Sequence, residues 1–260
     1  MNLEILPTRT AGAAENMAVD FLLLQRHPHA DVPRFRHYEW RVPAYTFGYA
    51  QKIAFVREQL PPGERFDLCR RPTGGGIVDH REDWTYALVI PRGHPLEEQR
   101  ATQSYRAIHE ALAAALVVQG VGAITKAGSD DEVERVDPDA FSTNPATWGQ
   151  VAPPSGGVPG VCFQRAEIHD VVHAQSGAKI AGAAQKRNKH GLLFQGSIWR
   201  PAAGGGGVTV NWKKFEEDFV AGLAASLSVS AEITPWPEFN EDEVSGLVEQ
   251  YSSTEWIEYR

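Results

Sequence analysis

The chain has 260 residues, of which 42% are hydrophobic and 22% are charged, a composition that excludes disordered and fibrous proteins. A chain of this length buries about 70–75% of its unfolded surface, so it can complete a core without disulfides or metal ions. The 25 basic and 33 acidic side chains give a net charge of −8, which argues against a protein that coats nucleic acid. We expect one domain over residues 1–260 and no nucleic-acid partner.

The cysteine and histidine content indicates neither disulfides nor a metal centre. Two cysteines, Cys69 and Cys162, are too few for a disulfide framework, and no CxxC pair occurs. His169 and His173 are four residues apart in a β-prone segment, but no third ligand is close in sequence. The sequence has no basic segment followed by a long apolar run, and no stretch of about 18 apolar residues. We therefore expect a cytoplasmic protein with no membrane partner.

The first half of the chain predicts a helix, four strands and a second helix. Apolar residues at helical spacing predict a helix over residues 15–25. Short apolar and aromatic segments separated by proline and glycine indicate strands over residues 34–40, 44–49, 66–71 and 84–90. The clearest helix covers residues 104–119, because its apolar side chains recur every three or four residues and Gly120 is placed to end it.

The second half begins with an irregular stretch. Residues 127–160 are rich in Asp, Glu, Pro, Gly and Ser, which predicts a long flexible surface loop. Strands are then predicted over residues 161–163, 169–174, 178–184 and 192–199. Two helices follow, and the second opens at Asn240 with a glutamate three positions later, as in a capping box. Irregular alternation of strands and helices predicts an α+β fold with mixed β-sheets flanked by helices.

A glycine-rich segment, RRPTGGGIVDH at residues 70–80, is the first candidate for ligand binding. Two adjacent arginines can bind a carboxylate or phosphate, and glycines let backbone N–H groups approach a ligand closely. The segment matches neither common phosphate-binding pattern. A hairpin turn with surface charge explains the same residues. The candidate substrate-binding residues are Arg70, Arg71, Thr73, Gly74, Gly75, Gly76 and His80.

Lys179 and Cys162 are the candidates for catalysis. Lys179 stands among small residues, including Gly182 and Ala183, which leave room for a ligand beside its long side chain. Such a lysine can neutralise a carboxyl group or move a proton, although a solvent-facing lysine on an edge strand is the alternative. Cys162 could hold an acyl group as a thioester if a nearby base or cation favours its thiolate. Its alternative role is that of a small buried side chain.

Three segments, taken together and in this order, resemble motifs of the lipoate–protein ligase and octanoyltransferase family. They are NMAVD at residues 16–20, RRPTGGGIVDH at residues 70–80 and KIAGAAQ at residues 179–185. The resemblance implies a fold similar to the biotin/lipoate protein ligase catalytic domain, with a tunnel for a medium-length acyl chain. The family commonly has a histidine where this chain has Gln195.

Two chemistries occur in that family, and Cys162 bears on the choice. The resemblance implies an octanoyltransferase without a cofactor, which takes an octanoyl or lipoyl group from acyl carrier protein onto Cys162. With Lys179 assisting, the acyl group then passes to a lysine of an apo lipoyl domain or glycine-cleavage H protein. The alternative is an ATP-dependent lipoate ligase, which needs ATP and Mg²⁺ and activates free octanoate or lipoate. A third reading is an inactive protein that binds acyl groups or lipoyl domains.

Overall fold

The computed structural model describes residues 2–128 and 160–259. The predicted irregular loop over residues 127–160 therefore lies almost wholly outside the described residues, and its flexibility stays a prediction. The single domain over residues 1–260 stays a prediction as well. None of the helices in the described ranges is long and apolar enough to cross a membrane.

Two β-sheets form the framework of the described part of the chain. The strands are β1 (Asn2–Ala11), β2 (Arg34–Trp40), β3 (Ala44–Phe47), β4 (Asp67–Arg70), β5 (Val78–Asp79), β6 (Asp83–Pro91), β7 (Ala123–Thr125), β8 (Val171–His173), β9 (Lys179–Asn188), β10 (Gly191–Trp199) and β11 (Ser230–Ile233). The large sheet has the order β11-β1-β2-β6-β10-β9-β8-β7, and the small sheet has the order β4-β3-β5. Parallel pairs occur in both sheets, β11/β1 and β1/β2 in the large one and β3/β4 in the small one, so both are mixed.

Helices pack on both faces of the large sheet. They are α1 (Ala13–Gln25), α2 (Ile53–Gln59), α3 (Pro95–Glu98), α4 (Ala101–Val118), α5 (Arg200–Ala203), α6 (Trp212–Ser226), α7 (Glu241–Ser252) and α8 (Thr254–Ile257). Helices α4 and α6 bury apolar faces against β6 and β10. On the opposite face α1 packs against the large sheet, and it also contacts the small sheet and α7. Mixed sheets flanked by helices confirm the predicted α+β class.

Most predicted elements are confirmed, with differences at their ends. Strand β1 and helix α2 were not predicted, because neither shows a clean apolar period. In β1 the pattern is interrupted by Pro7, at a register shift between Leu6 and Arg9 in the pairing with β2. Proline is tolerated at such irregularities because it lacks the N–H that a regular ladder requires.

The strand predicted over residues 161–163 is wrong. Val161 forms only an isolated parallel bridge with Ile77, and the next three residues, Cys162–Gln164, form a turn of 3₁₀ helix. Gly160 precedes them with a φ of +89°, a left-handed conformation that glycine adopts without strain. The backbone therefore turns before it can extend the bridge, and Cys162 lies on a turn outside both sheets.

Candidate active site

A pocket lies between the two sheets and collects most of the predicted site residues. Helix α1, large-sheet strands β2, β6, β9 and β10, and the small sheet with its glycine-rich segment contribute to its wall. The predicted site residues that line it are Arg71, Gly75, Gly76, His80, Cys162, Gly182 and Ala183. Segments far apart in sequence therefore meet at one place.

The glycine-rich segment holds the turn that carries Cys162. Ile77 donates its backbone N–H to the carbonyl of Gly160 (2.7 Å), and the N–H of Cys162 donates to the carbonyl of Ile77 (2.8 Å). A Cβ atom on Gly76 would lie 2.6 Å from the Gly160 oxygen, so only glycine permits this approach. The half-buried Cys162 faces the pocket. Its own N–H is used by the fold and is not a free donor.

Lys179 is buried beside the pocket and paired with a carboxylate. Its Nζ lies 2.7 Å from Oδ2 of Asp170, and the side chains of both residues are almost completely buried. Burial lowers the pKa of Lys179, but the Asp170 carboxylate and the Cys162 thiolate raise it by more, so the net shift is upward. Lys179 is therefore an ammonium group at neutral pH, suited to stabilise negative charge and unsuited to act as a base.

Arg71 provides a second cation on another wall of the pocket. Its guanidinium donates to Oγ1 of Thr46 (2.7 Å) and to the carbonyls of Gly74 (2.9 Å) and Gly76 (2.8 Å). Burial lowers the pKa of Arg71 to about 10, while the Cys162 thiolate acts in the opposite direction. Arg71 thus stays charged at neutral pH, and Cys162 interacts with two cations.

His80 belongs to a hydrogen-bonded chain behind Arg71. Its Nδ1 lies 2.7 Å from Oδ2 of Asp83, and its Nε2 lies 2.6 Å from Oγ1 of Thr46. Oγ1 of Thr46 also accepts from Arg71, so a continuous chain of polar contacts joins Asp83, His80, Thr46 and Arg71. Its ring also stacks on Trp40, with 4.1 Å between ring centroids.

Gln195 is buried in the pocket wall. Its Oε1 accepts from the hydroxyl of Thr73 (2.7 Å), and its Nε2 donates to Oδ2 of Asp20 (2.6 Å). Asp20 forms a buried ion pair with Arg36 at 2.6 Å. The amide therefore links the glycine-rich segment to helix α1, and its polar atoms are used within the wall.

Three predicted binding residues do not line the pocket. Arg70 donates to the backbone carbonyls of Tyr49, Gln51, Trp256 and Ile257, so it ties the C-terminal helix α8 to the small sheet. Thr73 and Gly74 lie behind the wall, where Thr73 bonds Gln195 and the carbonyl of Gly74 accepts from Arg71. Substrate contact by these three residues stays a prediction.

Three residues with buried polar contacts near the pocket were missed by sequence reasoning. Asp170 was placed in a predicted strand, Tyr105 was counted on the apolar face of a helix, and Asp83 was not singled out. The only local signal was for Asp83, which follows His80 by three residues and precedes an apolar strand. Asp170 and Tyr105 are 65 residues apart, so no short pattern connects them.

One group among the described residues could bring three metal ligands together, namely Glu4, His27 and His29. None of the three lines the pocket. Both histidines already bond the carboxylate of Glu4, at 3.0 and 2.9 Å. The buried Arg34 guanidinium interacts with the same carboxylate and opposes a bound cation.

Comparison with protein families places these residues in a known context. A model of the lipoyl protein ligase A/B catalytic domain matches residues 12–200. Octanoyltransferase LipM of Symbiobacterium thermophilum is 31% identical over 199 residues, which cover 76% of this chain and 65% of that protein. Octanoyltransferase LipM of Bacillus cereus is 32% identical over 190 residues, which cover 71% of this chain and 60% of that protein. The chain spans less than two thirds of the length of these curated relatives.

Solved structures support the fold. A lipoate-protein ligase A bound with ATP superposes with a TM-score of 0.68 at 18% identity, covering 99% of this chain and 98% of that one. A bi-partite lipoate protein ligase from Thermoplasma acidophilum, described with its E2 lipoyl domain, has a TM-score of 0.67 at 18% identity, covering 100% of this chain and 98% of that one. These similarities show the same fold.

Proposed function

Since this chain belongs to the lipoyl protein ligase A/B catalytic-domain family, we propose that it is a cysteine-dependent octanoyltransferase. It moves an octanoyl group from acyl carrier protein onto Cys162, and from there onto a lysine of a lipoyl domain or glycine-cleavage H protein. The similarity to octanoyltransferases named LipM, at about 30% identity, supports this reaction over the others in the family.

One observation carries the proposal: Cys162 lies in the pocket and interacts with two buried cations, Arg71 and Lys179. A thiolate is the reactive form of cysteine, and nearby positive charge favours it. Cys69 offers the contrast, because burial raises its pKa to about 12. Cys162, by contrast, is half-buried and lines the pocket, so the two thiols differ in their access to a ligand.

Acylation of Cys162 follows from this arrangement. The thiolate attacks the carbonyl carbon of the octanoyl thioester, and the bond to the sulfur of the carrier breaks. The carrier leaves as a thiolate that takes a proton from solvent. Negative charge on the carbonyl oxygen in the transition state is stabilised by the ammonium group of Lys179, an effect worth about 3–4 kcal/mol for one well-placed donor.

Transfer to the acceptor reverses the same chemistry. The neutral amine of the acceptor lysine attacks the acyl carbon, the bond to Cys162 breaks, and the amine loses its extra proton to solvent. Cys162 returns to the thiolate, which the two cations again stabilise. Within residues 2–128 and 160–259, no acceptor is bonded to the backbone N–H groups of Gly75 and Gly76, so these are available to the carbonyl oxygen.

The pocket suits an apolar acyl chain although polar residues line it. The amide of Gln195 bonds Thr73 and Asp20, and the hydroxyl of Ser197 donates to Asp83 (2.5 Å). Because these polar atoms are satisfied within the wall, the surface presented to a ligand is largely carbon, including the side chains of Met17 and Trp40. An octanoyl chain gains from burial at such a surface.

Intact-protein mass spectrometry tests the proposal. The full chain and Cys162→Ala are each incubated with octanoyl-acyl carrier protein, without ATP. We expect an octanoyl adduct on the wild type that hydroxylamine removes, and no adduct on Cys162→Ala. An adduct of equal size on both proteins, or none on the folded wild type, would overturn the proposal.

The ligase alternative is separated by a second incubation. An ATP-dependent lipoate ligase would form an acyl-adenylate from free octanoate or lipoate with ATP and Mg²⁺, and adenylation requires no cysteine. Release of pyrophosphate by both the wild type and Cys162→Ala would favour that reaction. Binding of acyl groups without any turnover would favour an inactive binding protein.

A further inference from the structure

The buried carboxylate and phenol beside Lys179 have no assigned role. We propose that Asp170 and Tyr105 are positioning residues, which hold Lys179 as an ammonium group against the pocket wall close to the Cys162 thiolate. This inference rests on the proposed function for its catalytic consequence, but the charge state and position of Lys179 can be tested without any acyl transfer.

Asp170 is held by three donors from three parts of the chain. Its Oδ2 lies 2.7 Å from Nζ of Lys179 and accepts from the backbone N–H of Glu167 (2.6 Å). Its Oδ1 accepts from the hydroxyl of Tyr105 (2.5 Å). Asp170 is 1% exposed, so water cannot replace these donors. The carboxylate is therefore fixed in position and charge when it meets Lys179.

Tyr105 connects this carboxylate to the strand that forms the pocket wall. Its hydroxyl donates to Asp170 and accepts from the backbone N–H of Ala183 (2.9 Å). Burial, and then the Asp170 carboxylate, raise the pKa of Tyr105 far above its ordinary value. The phenol therefore stays a donor, and helix α4 is tied to β9 at a residue that lines the pocket.

The position of Gly182 shows where the ammonium group of Lys179 lies. A Cβ atom on Gly182 would be 2.7 Å from Cε and 2.8 Å from Nζ of Lys179, and 3.0 Å from Oδ1 of Asp170. Gly182 lines the pocket, so the lysine folds back along its own strand and places its ammonium group at the wall. Any larger side chain at this position would displace it.

The turn before Asp170 is also restrained. His169 has a φ of +66°, in the left-handed region that non-glycine residues rarely adopt. Its carbonyl accepts from Nδ1 of the buried His109 (2.7 Å), and its N–H donates to the carbonyl of Lys126 (3.0 Å). A strained backbone persists when its surroundings fix it. These contacts place Asp170 opposite Lys179.

The groups around Lys179 leave Asp170 as the main source of negative charge. The titratable or charged neighbours are Asp170, Cys162, Glu167, Tyr105 and His109. Tyr105 is neutral, and burial lowers the pKa of His109 to about 4, so His109 is neutral as well. Without Asp170, only the Cys162 thiolate and Glu167 would raise the pKa of Lys179 against the lowering effect of burial. The lysine would then lose its proton more easily.

The test measures alkylation of Cys162 by iodoacetamide as a function of pH, by intact mass, in the full chain. In Asp170→Asn we expect the midpoint of the alkylation profile to rise by about one pH unit, because Lys179 then loses its proton or its position more easily, and an opposite charge near a thiolate is typically worth 1–3 units. Acylation by octanoyl-acyl carrier protein should fall about 100-fold. Tyr105→Phe should lower acylation about tenfold, with a smaller change in the midpoint.

Two controls separate charge from folding. Asp218→Asn removes the carboxylate of an ion pair of the same type and length, Lys214–Asp218 at 2.7 Å, which is partly exposed. It should leave both readouts unchanged. In a Lys179→Arg background the guanidinium keeps its proton, so adding Asp170→Asn should move the midpoint by less than half as much as it does in the wild type.

An unchanged alkylation profile in folded Asp170→Asn would overturn the inference. If that variant does not fold, Tyr105→Phe decides, and unchanged alkylation and acylation in it would be equally contradictory. Because alkylation needs no acyl donor, a wild type that accepts no octanoyl group would contradict the proposed function, while a shifted midpoint would still support the role of Asp170.

Discussion

Two buried carboxylates lie on different sides of the pocket, and their partners differ in kind. Asp170 meets the cation of Lys179. Asp83 accepts from the hydroxyls of Thr85 (2.7 Å) and Ser197 (2.5 Å) and from His80, and its Oδ1 has no hydrogen-bond partner among the described residues. The Asp170 side is an ion pair, whereas the Asp83 side is a network of hydrogen bonds.

The difference assigns separate tasks to the two sides. The Lys179–Asp170 ion pair sets the local charge around Cys162, and therefore the reactivity of the Cys162 thiol. A hydrogen-bonded network fixes geometry, here the position of Arg71 through Thr46 and His80. Substitutions on the Asp170 side should change the pH dependence of the thiol, and those on the Asp83 side should change rates without that pH dependence.

The largest effect is expected from Lys179→Met. Loss of the ammonium group should lower the rate of Cys162 acylation about 10²–10³-fold, the usual result of removing one donor from an oxyanion site. Asp170 would remain buried without its cation, at a cost of about 3–5 kcal/mol in the free energy of unfolding. Single-turnover acylation and urea unfolding measure the two effects. Full activity in this variant would remove Lys179 from the mechanism.

Gly182→Ala should disturb the Lys179–Asp170 pair directly. The new methyl group would lie 2.7 Å from Cε of Lys179 and 3.0 Å from Oδ1 of Asp170, so the buried pair must shift, at a cost of about 1–3 kcal/mol in the free energy of unfolding. Because the ammonium group is displaced, acylation should fall about 10²-fold. Gly246→Ala is the matched control, since nothing lies within 4 Å of its new Cβ atom in helix α7. It should keep full activity and gain up to about 1 kcal/mol.

His80→Phe tests the Asp83 side. The variant retains a ring against Trp40 but leaves Thr46 and Asp83 each without one partner. We expect a loss of about 1–3 kcal/mol in the free energy of unfolding, and an acylation rate about tenfold lower because Arg71 is less well placed. The pH profile of Cys162 alkylation should be unchanged. A shifted alkylation profile would show that the Asp83 side also affects the ionisation of Cys162, and would contradict the separate tasks of the two sides.

The smallest effect on acyl transfer is expected from substitution of His109, a residue that affects the free energy of unfolding at acid pH. Its pKa is lowered to about 4 by burial, against an ordinary value of 6.5. The unfolded chain therefore binds a proton on this histidine below about pH 6.5, whereas the folded chain binds it only below about pH 4. The free energy of unfolding falls as the pH falls through this range. The loss approaches about 3 kcal/mol. Unfolding of His109→Gln between pH 7 and pH 4 should show a weaker pH dependence.

The sequence predicted the parts of the site that local patterns reveal. The glycine-rich segment, the lysine among small residues and the cysteine all stand out, and of the predicted residues only Arg70, Thr73, Gly74 and Lys179 do not line the pocket. Arg70 and Arg71 are adjacent arginines, so the sequence does not distinguish their roles. Successive residues of an extended chain, however, point to opposite sides. Arg70 therefore binds the C-terminal helix and Arg71 lines the pocket.

The rest depended on contacts between distant segments. Asp20 occupies the helix predicted over residues 15–25, where a charge between apolar residues suggests an exposed position, but it is buried and paired with Arg36. Asp170 and Tyr105 resemble ordinary strand and helix residues until the fold brings them within 2.5 Å. Burial of a charge is decided by such partners, which no local period encodes.

The most direct test of the account is a chase experiment on the acyl-enzyme. Wild type is loaded with octanoyl-acyl carrier protein without ATP, mixed with an apo lipoyl domain, and quenched over time for intact mass analysis. The thioester on Cys162 should disappear with the same rate constant as the octanoyl amide appears on the acceptor. Amide that forms without passing through this thioester, or only when ATP is supplied, would contradict it.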